Sequence, residues 1–537
     1  MIKKLFTTQI NSITVAALLV ALSSLVSRFL GIFRDRILAG EFGAGDALDV
    51  YYTAFRVPDL IFNLLVLGAL SAGFIPLFVS LFESKLKHKH AWELANNALN
   101  ILGLALIVIS SIGILFAPFL MKLVAPGFSG EKQLLVISLT RIMFLSPMFL
   151  GLSSVFGGVL QSLKRFFIYS LAPIFYNIGI IIGALYFVPK FGLHGLAWGV
   201  VLGAFFHLFI QASAAFHFGF RYKLIFNLRD KNIREILRLM LPRTMSLAIA
   251  QINLLVITVV ASTLNSGSIA IFNFANNLQS FPIGIFGISF AVAAFPAFSR
   301  EAFDKKKLVS SFSTVIRQIL FFIVPSTVLL LTLRAQLIRV ILGTGQFDWQ
   351  DTVLTINTLG FFALSLFAQA SLPLLVRVFY ARHNSSTPFF VGLFSATINV
   401  VLALYLSRSL GVAGLALAFS LANIINFFVL WVFLRFELGD LEEERILFSA
   451  VKFSIAALAS GLAIQGSKLL VWPYVDMTRL WGVLTQGLLA GIAGIIIYIA
   501  FCSLLKSEEF IHFWQAGKRR LSWRKVNVND QGEARGI

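Results

Sequence analysis

The sequence predicts an all-α integral membrane protein with about fourteen transmembrane helices, and three observations carry that reading. The first is composition. Of 537 residues, 58% are hydrophobic and 13% charged, and the mean hydropathy is +0.88. A soluble domain carries about twice that share of charge. The second is run length. Apolar stretches of roughly 20 residues recur from end to end, each able to cross about 30 Å of hydrocarbon as a helix. Outer-membrane barrels are excluded, because their strands alternate over about 10 residues. The third is the alternation of basic and non-basic loops, described below.

Taken in order, the expected spans lie near 10–38, 47–81, 93–121, 134–161, 167–188, 194–217, 239–263, 269–298, 309–333, 353–379, 388–407, 412–434, 447–467 and 481–505. Lys3 and Lys4 precede the first. It runs on into Arg28, Gly31 and Arg34 without a small-residue cleavage site, so we read it as a retained span, not a signal peptide. Pro58, Gly68 and Gly73 predict kinks in the second. One set of alternate loops carries Lys85, Lys87 and Lys89; Lys164 and Arg165; Arg221 to Arg234; Lys305 to Lys307; Arg377 and Arg382; and Arg435 and Arg445. The intervening loops are sparse in Lys and Arg. This pattern places both termini in the cytoplasm of a protein in the cytoplasmic (inner) membrane. The net charge of +20 therefore orients helices and does not imply nucleic acid. The single cysteine, Cys502, excludes a disulfide framework or a cysteine metal cluster.

The chain also repeats itself. Gly192-Leu-His-Gly-Leu-Ala197 matches Gly411-Val-Ala-Gly-Leu-Ala416, each after a span with one Asn, Asn177 or Asn399. Gly73-Phe-Ile-Pro76 matches Ala293-Ala-Phe-Pro296. The shared offset corresponds to six spans. It predicts two six-helix lobes in parallel pseudo-repeat, 1–222 and 223–436, with spans 13 and 14 in 437–507 and a basic cytoplasmic tail over 508–537. Helices 1, 2, 7 and 8 are expected to line a cavity between the lobes. Spans 13 and 14 are expected to offer a lipid-facing groove.

Charges within spans are costly and mark cavities. Span 1 carries Arg28, Arg34, Asp35 and Arg36; span 2 carries Asp49, Arg56 and Asp59. Arg56 and Asp59 are three apart and could pair. Arg141 in span 4 and Arg243 at the start of span 7 are additional candidates. The excess of guanidinium groups selects an anionic ligand, and their forked donors suit phosphate oxygens. No phosphate-binding glycine loop and no His-Glu-x-x-His motif is present, so the sequence reads as a transporter and not an enzyme. His88 and His90 sit in a basic loop and are read as no metal site; His207 and His217 are read as packing or interface residues.

Ser27-Arg-Phe-Leu-Gly-Ile-Phe-Arg-Asp35, followed by Phe42-Gly-Ala-Gly45 and Asp49, resembles the MurJ (MviN) family of lipid II flippases. So do Ala125-Pro-Gly-Phe128, Phe281-Pro282, Gly345-Gln-Phe347, Phe379-Tyr-Ala-Arg382 with Thr387-Pro388, and Gly414-Leu-Ala416. The resemblance implies alternating access that carries an undecaprenyl-pyrophosphate-linked peptidoglycan precursor to the outer leaflet. By motif match, Arg28, Arg34, Asp35, Asp49 and Arg56 take the family's cavity positions. The implied partners are that precursor, membrane lipids and the cell-wall synthesis machinery. No soluble cofactor is implied; a coupling ion at Asp35 or Asp49, or the membrane potential, would drive transport. The chain departs from the family at Phe62, Asn63 and Leu67 in span 2, at Asn277 and Ser280 in span 8, and at Asn384, where charged residues are usual. The departures keep two alternatives open: a flippase for another polyprenyl-pyrophosphate oligosaccharide, or a transport-incompetent scaffold of the cell-wall machinery.

Overall fold

The computed structural model describes residues 13–67, 73–84 and 88–523, and all regular structure among them is helical. The helices are α1 (Ile13–Phe42), α2 (Asp46–Phe62), α3 (Ile75–Glu83), α4 (His88–Val124), α5 (Gly130–Ser162), α6 (Phe166–Phe191), α7 (His194–His217), α8 (Lys231–Ser262) and α9 (Ser268–Glu301). They continue as α10 (Lys305–Ile341), α11 (Trp349–Ala363), α12 (Leu366–Ala381), α13 (Ser386–Leu410), α14 (Val412–Leu438), α15 (Glu443–Tyr474), α16 (Leu480–Leu504) and α17 (Glu508–Trp523). Each expected span has its helix. Span 2 is α2 with α3, and span 10 is α11 with α12, bent by 45°.

Ten of these helices are long and apolar enough to cross a membrane on their own account, eleven with the bent pair. The other three expected spans are α1, α2 with α3, and α8, which ends in the apolar stretch Ala248–Ser262. These three include the charged residues of spans 1 and 2, where intramembrane charge marks a functional lining.

The kink expected in span 2 is a π turn at Asn63–Leu67, just beyond Pro58. Further π turns fall at Gly183–Phe187 in α6 and Ile283–Ile288 in α9. The paired glycine motifs fold alike. Gly192 and Gly411 both have φ +58°, a left-handed conformation that ends one helix and starts the next. In both, the glycine three residues on donates its N–H back to the first glycine's carbonyl, at 2.9 and 3.1 Å.

The described residues cluster into two compact units. The first takes the chain up to Leu278 with Ile341–Phe362 and Gly392–Ala422; the second takes Gln279–Val340, Ala363–Val391 and Asn423 onward. In the first, Gly179 and Gly183 of α6 face Gly199 and Gly203 of α7 so closely that a Cβ on any would meet the opposite backbone. Small residues draw membrane helices together in this way, where lipid provides no hydrophobic drive. Phe74, Phe78, Trp92, Phe156 and Phe220 fill the same unit's core. In the second, Phe286 stacks on Phe322 at 4.7 Å, and the Tyr498 hydroxyl donates to the Phe321 carbonyl at 2.7 Å.

The segment expected to begin a basic tail opens instead with α17. Glu509 is buried against Arg317 of α10, and Ser449 donates to it at 3.0 Å. Glu508 bridges Arg317 at 3.2 Å and Arg445 at 2.8 Å.

Candidate substrate-binding cavity

The span 1 motif builds the site from adjacent residues. Arg34 bonds Asp35 Oδ1 through Nη2 at 2.8 Å and Nε at 3.1 Å, and its Nη1 donates to Asn177 Oδ1 of α6 at 3.2 Å. The free Asp35 oxygen, Oδ2, accepts from Asn277 of α9 at 2.8 Å. Thus three helices fix one guanidinium, which still keeps 21% of its side chain exposed. Fixed donors that need not reorganise suit an anion that must leave water.

Asn277 stands at a position where relatives usually carry Arg. As a neutral donor it still orients Asp35, so losing that base does not orphan the carboxylate. Asn384 likewise does the work of the usual Asp. Its Oδ1 accepts the Thr387 N–H at 3.1 Å and its amide donates to the Thr387 hydroxyl at 3.0 Å, at the start of α13.

Arg56 does not pair with Asp59 as its spacing suggests. It donates to Thr258 of α8 at 2.9 Å and to Asn273 of α9 at 2.8 Å. Spans 7 and 8 therefore meet the charged spans through neutral side chains.

Arg28 lines a cavity of about 570 Å³ together with Ser24, Ser27, Gln161, Tyr169, His207 and Gln211. Among the described residues its walls come from α1, α2, α3, α5, α6 and α7, and none comes from α8 or α9, which were expected to line the cavity. His207 is more than a packing residue. Ser153 gives its hydroxyl proton to the His207 carbonyl at 3.0 Å, so at 2.7 Å it accepts from Nδ1–H. The wall thus combines one guanidinium with uncharged polar groups.

Asp49, the fourth predicted residue, is absent from that lining and 2% exposed. It reaches from α2 to the start of α9 and accepts the N–H groups of Gly267 at 2.8 Å and Ala270 at 3.0 Å. These are orphan donors of a helix N-terminus, where a carboxylate also meets the favourable end of the dipole. Asp46 beside it accepts from Lys132 at 2.6 Å and Ser266 at 2.5 Å. Ala44 N–H donates to Asp351 at 2.8 Å, and Gln346 N–H to the Gly40 carbonyl at 2.8 Å. Four loops, at 43–46, 127–132, 263–268 and 344–351, are thereby latched at one end of the first unit.

The two additional candidates stand apart. Arg141 is exposed and donates to the Ile114 carbonyl at 3.3 Å, away from the cavity lining. The Arg243 side chain lies outside those described. Sequence reasoning missed Lys132, Thr258, Asn273, Gln161 and Gln211, all ordinary residues with no motif around them. Asn177 was visible as the single Asn of its span.

In the second unit, an apolar groove of about 730 Å³ runs between α10, α14 and α15, lined by Leu320, Val324, Phe427, Trp431, Leu447 and Ala450 among others. Span 13 lines it. Span 14 borders a smaller groove of about 270 Å³ with α10.

A helical bundle with one guanidinium on a cavity wall, two more held by polar partners within the same unit and a latch at one end defines a polytopic membrane transporter. The family model for lipid II flippase MurJ matches residues 38–485, and the chain belongs to that family. A probable lipid II flippase MurJ from Buchnera aphidicola subsp. Baizongia pistaciae is 30% identical over 423 residues, covering 76% of this chain and 81% of the relative. Another from Thermotoga maritima is 28% identical over 501 residues, covering 93% and 98%. The solved structure of a lipid II flippase MurJ in an inward closed conformation superposes with a TM-score of 0.74 at 25% identity, covering 91% of this chain and 98% of that one. An inward-facing multidrug transporter of the MATE family shares the fold, with a TM-score of 0.67 at 18% identity over 78% of this chain.

Proposed function

We propose that this chain flips lipid II, the undecaprenyl-pyrophosphate-linked peptidoglycan precursor, from the inner to the outer leaflet of the cytoplasmic membrane, with both termini cytoplasmic. The observation that carries the reading is the Arg34 guanidinium, held by Asp35 and Asn177 yet part-exposed, on the same helix α1 as the cavity-lining Arg28. A pyrophosphate leaving water needs donors already in place, and arginine stays protonated at any relevant pH. Asp35 weakens the grip enough for release, which alternating access requires as much as capture. The chain acts as a transporter and not as an enzyme. Its moving parts are the six-helix lobes 1–222 and 223–436.

The latch around Asp46, Asp49 and Lys132 belongs to loops that the charge alternation places outside. Its closure favours an inward state, the one that loads substrate. The apolar groove along α15 suits the polyprenyl tail, which is too apolar for a cationic cavity. Membrane potential, worth about 2.3 kcal/mol per charge per 100 mV, or a coupling ion supplies the drive. Asp49 is committed to the α9 backbone, which leaves Asp35 as the carboxylate for such an ion. The departures at Asn277 and Asn384 keep their local bonds, so they give the scaffold reading no support.

The test is depletion. Loss of the protein should trap lipid II in the inner leaflet, and re-expression should release it. Normal outer-leaflet lipid II in depleted cells would exclude the flippase reading.

A further inference from the structure

The connection from α7 to α8 is neither helix nor loose loop. Residues 220–227 run extended along the first turns of α4, held there by three asparagines. Asn96 accepts the Lys223 N–H at 2.7 Å and donates to the Arg221 carbonyl at 3.0 Å. Asn97 makes the same pair with Asn227, at 2.8 and 2.9 Å. Asn100 donates to the carbonyls of Lys223 and Ile225, both at 3.0 Å. Asn96 and Asn97 are 1% and 2% exposed, so the clamps are buried. They act as a neighbouring strand would, and they engage the odd-numbered residues.

The even-numbered residues face the other way. Tyr222, Leu224, Phe226 and Leu228 are all exposed, Leu224 by 82%. Interleaved with them, Arg221, Lys223 and Arg229 are exposed too, and no acid occurs before Asp230. An apolar ridge of this kind is costly in water.

Two facts place it. Asn96 to Asn100 lie in the first turns of the span expected at 93–121, so the strap sits at the depth where that helix enters the membrane. Trp92, of the residue type that gathers at membrane interfaces, packs against Phe220 at 6.1 Å where the strap begins. We propose that Gly219–Arg229 is a surface site for anionic phospholipid. Its four apolar side chains seat in the interfacial layer, and Arg221, Lys223 and Arg229 meet the phosphates. The headgroup layer also supplies water to the backbone groups of Tyr222, Leu224 and Phe226, which hydrocarbon could not. A cytosolic protein would need to reach the same groups at membrane depth, which disfavours it as the occupant.

The experiment uses the full-length protein with Cys502→Ser and Leu228→Cys, the new thiol carrying a fluorophore, in phosphatidylcholine nanodiscs. Spin-labelled phosphatidylglycerol should quench it several-fold more than spin-labelled phosphatidylcholine, and aqueous iodide should quench it little. Neutralising Arg221, Lys223 and Arg229 to Gln should cut the preference by up to about fivefold per charge. The clamps bond backbone atoms, so these variants keep the strap. Lys305→Gln with Lys306→Gln, in another basic loop, should change nothing. Equal quenching by both lipids, or strong iodide quenching with silent lipid probes, would overturn the proposal and, in the second case, favour a soluble partner.

Discussion

At the residue scale, the site depends on how few groups hold Arg34. Arg28→Ala and Arg34→Ala should each abolish complementation of a flippase-depleted strain while the protein still reaches the membrane. Arg34→Lys should recover a part, because a point charge cannot satisfy Asp35 and Asn177 together with a phosphate. Arg408→Ala, exposed at the end of α13, should be silent. Full complementation by the Arg28→Ala, Arg34→Ala double variant, with expression measured alongside, would sink the anion mechanism. Asp49 invites a different test. Asp49→Ala leaves the N–H groups of Gly267 and Ala270 without their acceptor, at about 1–3 kcal/mol each. Asp49→Asn keeps an acceptor oxygen and should lose about half as much. Thermal unfolding in detergent measures both, and an unchanged melting temperature for Asp49→Ala would contradict the capping role. The span 1 motif made Arg28, Arg34 and Asp35 visible in the sequence, because burying charge is costly enough to need a reason. It gave no sign that Asp49 meets the start of α9, since a carboxylate that caps a distant helix looks the same in sequence as one that faces a ligand.

At the element scale, α17 shows what the sequence conceals. Glu508 and Glu509 open a segment whose later residues are basic, and composition alone reads it as a solvated tail. The structure docks it through Arg317, 4% exposed on α10, a partner 192 residues away that no local pattern predicts. Glu509→Ala should leave that buried guanidinium with the half-exposed Glu508 alone and cost up to about 3–5 kcal/mol, whereas Arg317→Met with Glu509→Leu removes both charges and should cost much less. Limited proteolysis after α16 reads the difference; equal cleavage of the two variants would refute the latch. Acid should act in the same direction. The hydrogen bond from Arg445 holds the Glu508 carboxyl below its usual 4.5. Its contribution is therefore present at neutral pH and lost as pH falls below about 4.5 through the lower folded value. Half exposure keeps that part small. The spans themselves were legible nearly end to end, because a 20-residue apolar run has few alternative fates. What could not be read were the π turns, which depend on packing, and the asparagine clamps on the α7–α8 connection, which depend on two segments meeting.

At the scale of the whole molecule, the alternation of basic loops and the helix boundaries jointly predict a topology, and cysteine labelling in a Cys502→Ser background tests it. The structure decides where the probes go. Gly267 lies in the outer loop before α9, but its φ of +86° and its contact with the Ala44 carbonyl make any side chain there disruptive. Asn265, two residues earlier and exposed, serves instead. Lys468 is half-buried and donates to the Thr332 carbonyl at 3.1 Å, so Thr478, exposed in the loop between α15 and α16, is the better outer site. Lys89 and Lys306, both exposed, report on the inner face. Cysteines at Asn265 and Thr478 should react with an impermeant maleimide in intact cells; those at Lys89 and Lys306 should react after permeabilisation alone. The four sites are separated by α4 to α15, which include α8 but neither α1 nor α2 with α3. Labelling of Lys306 from outside would therefore mean that α8 or α9 does not cross. Spans 7 and 8 would then no longer carry Thr258, Asn273 and Asn277 to the arginines from across the bilayer, and the anion site would lose its second wall. Labelling in the expected pattern requires α9 to cross and an odd number of crossings from α4 to α8, as five spans give, which is the condition for Thr258, Asn273 and Asn277 to reach Arg34 and Arg56 at membrane depth.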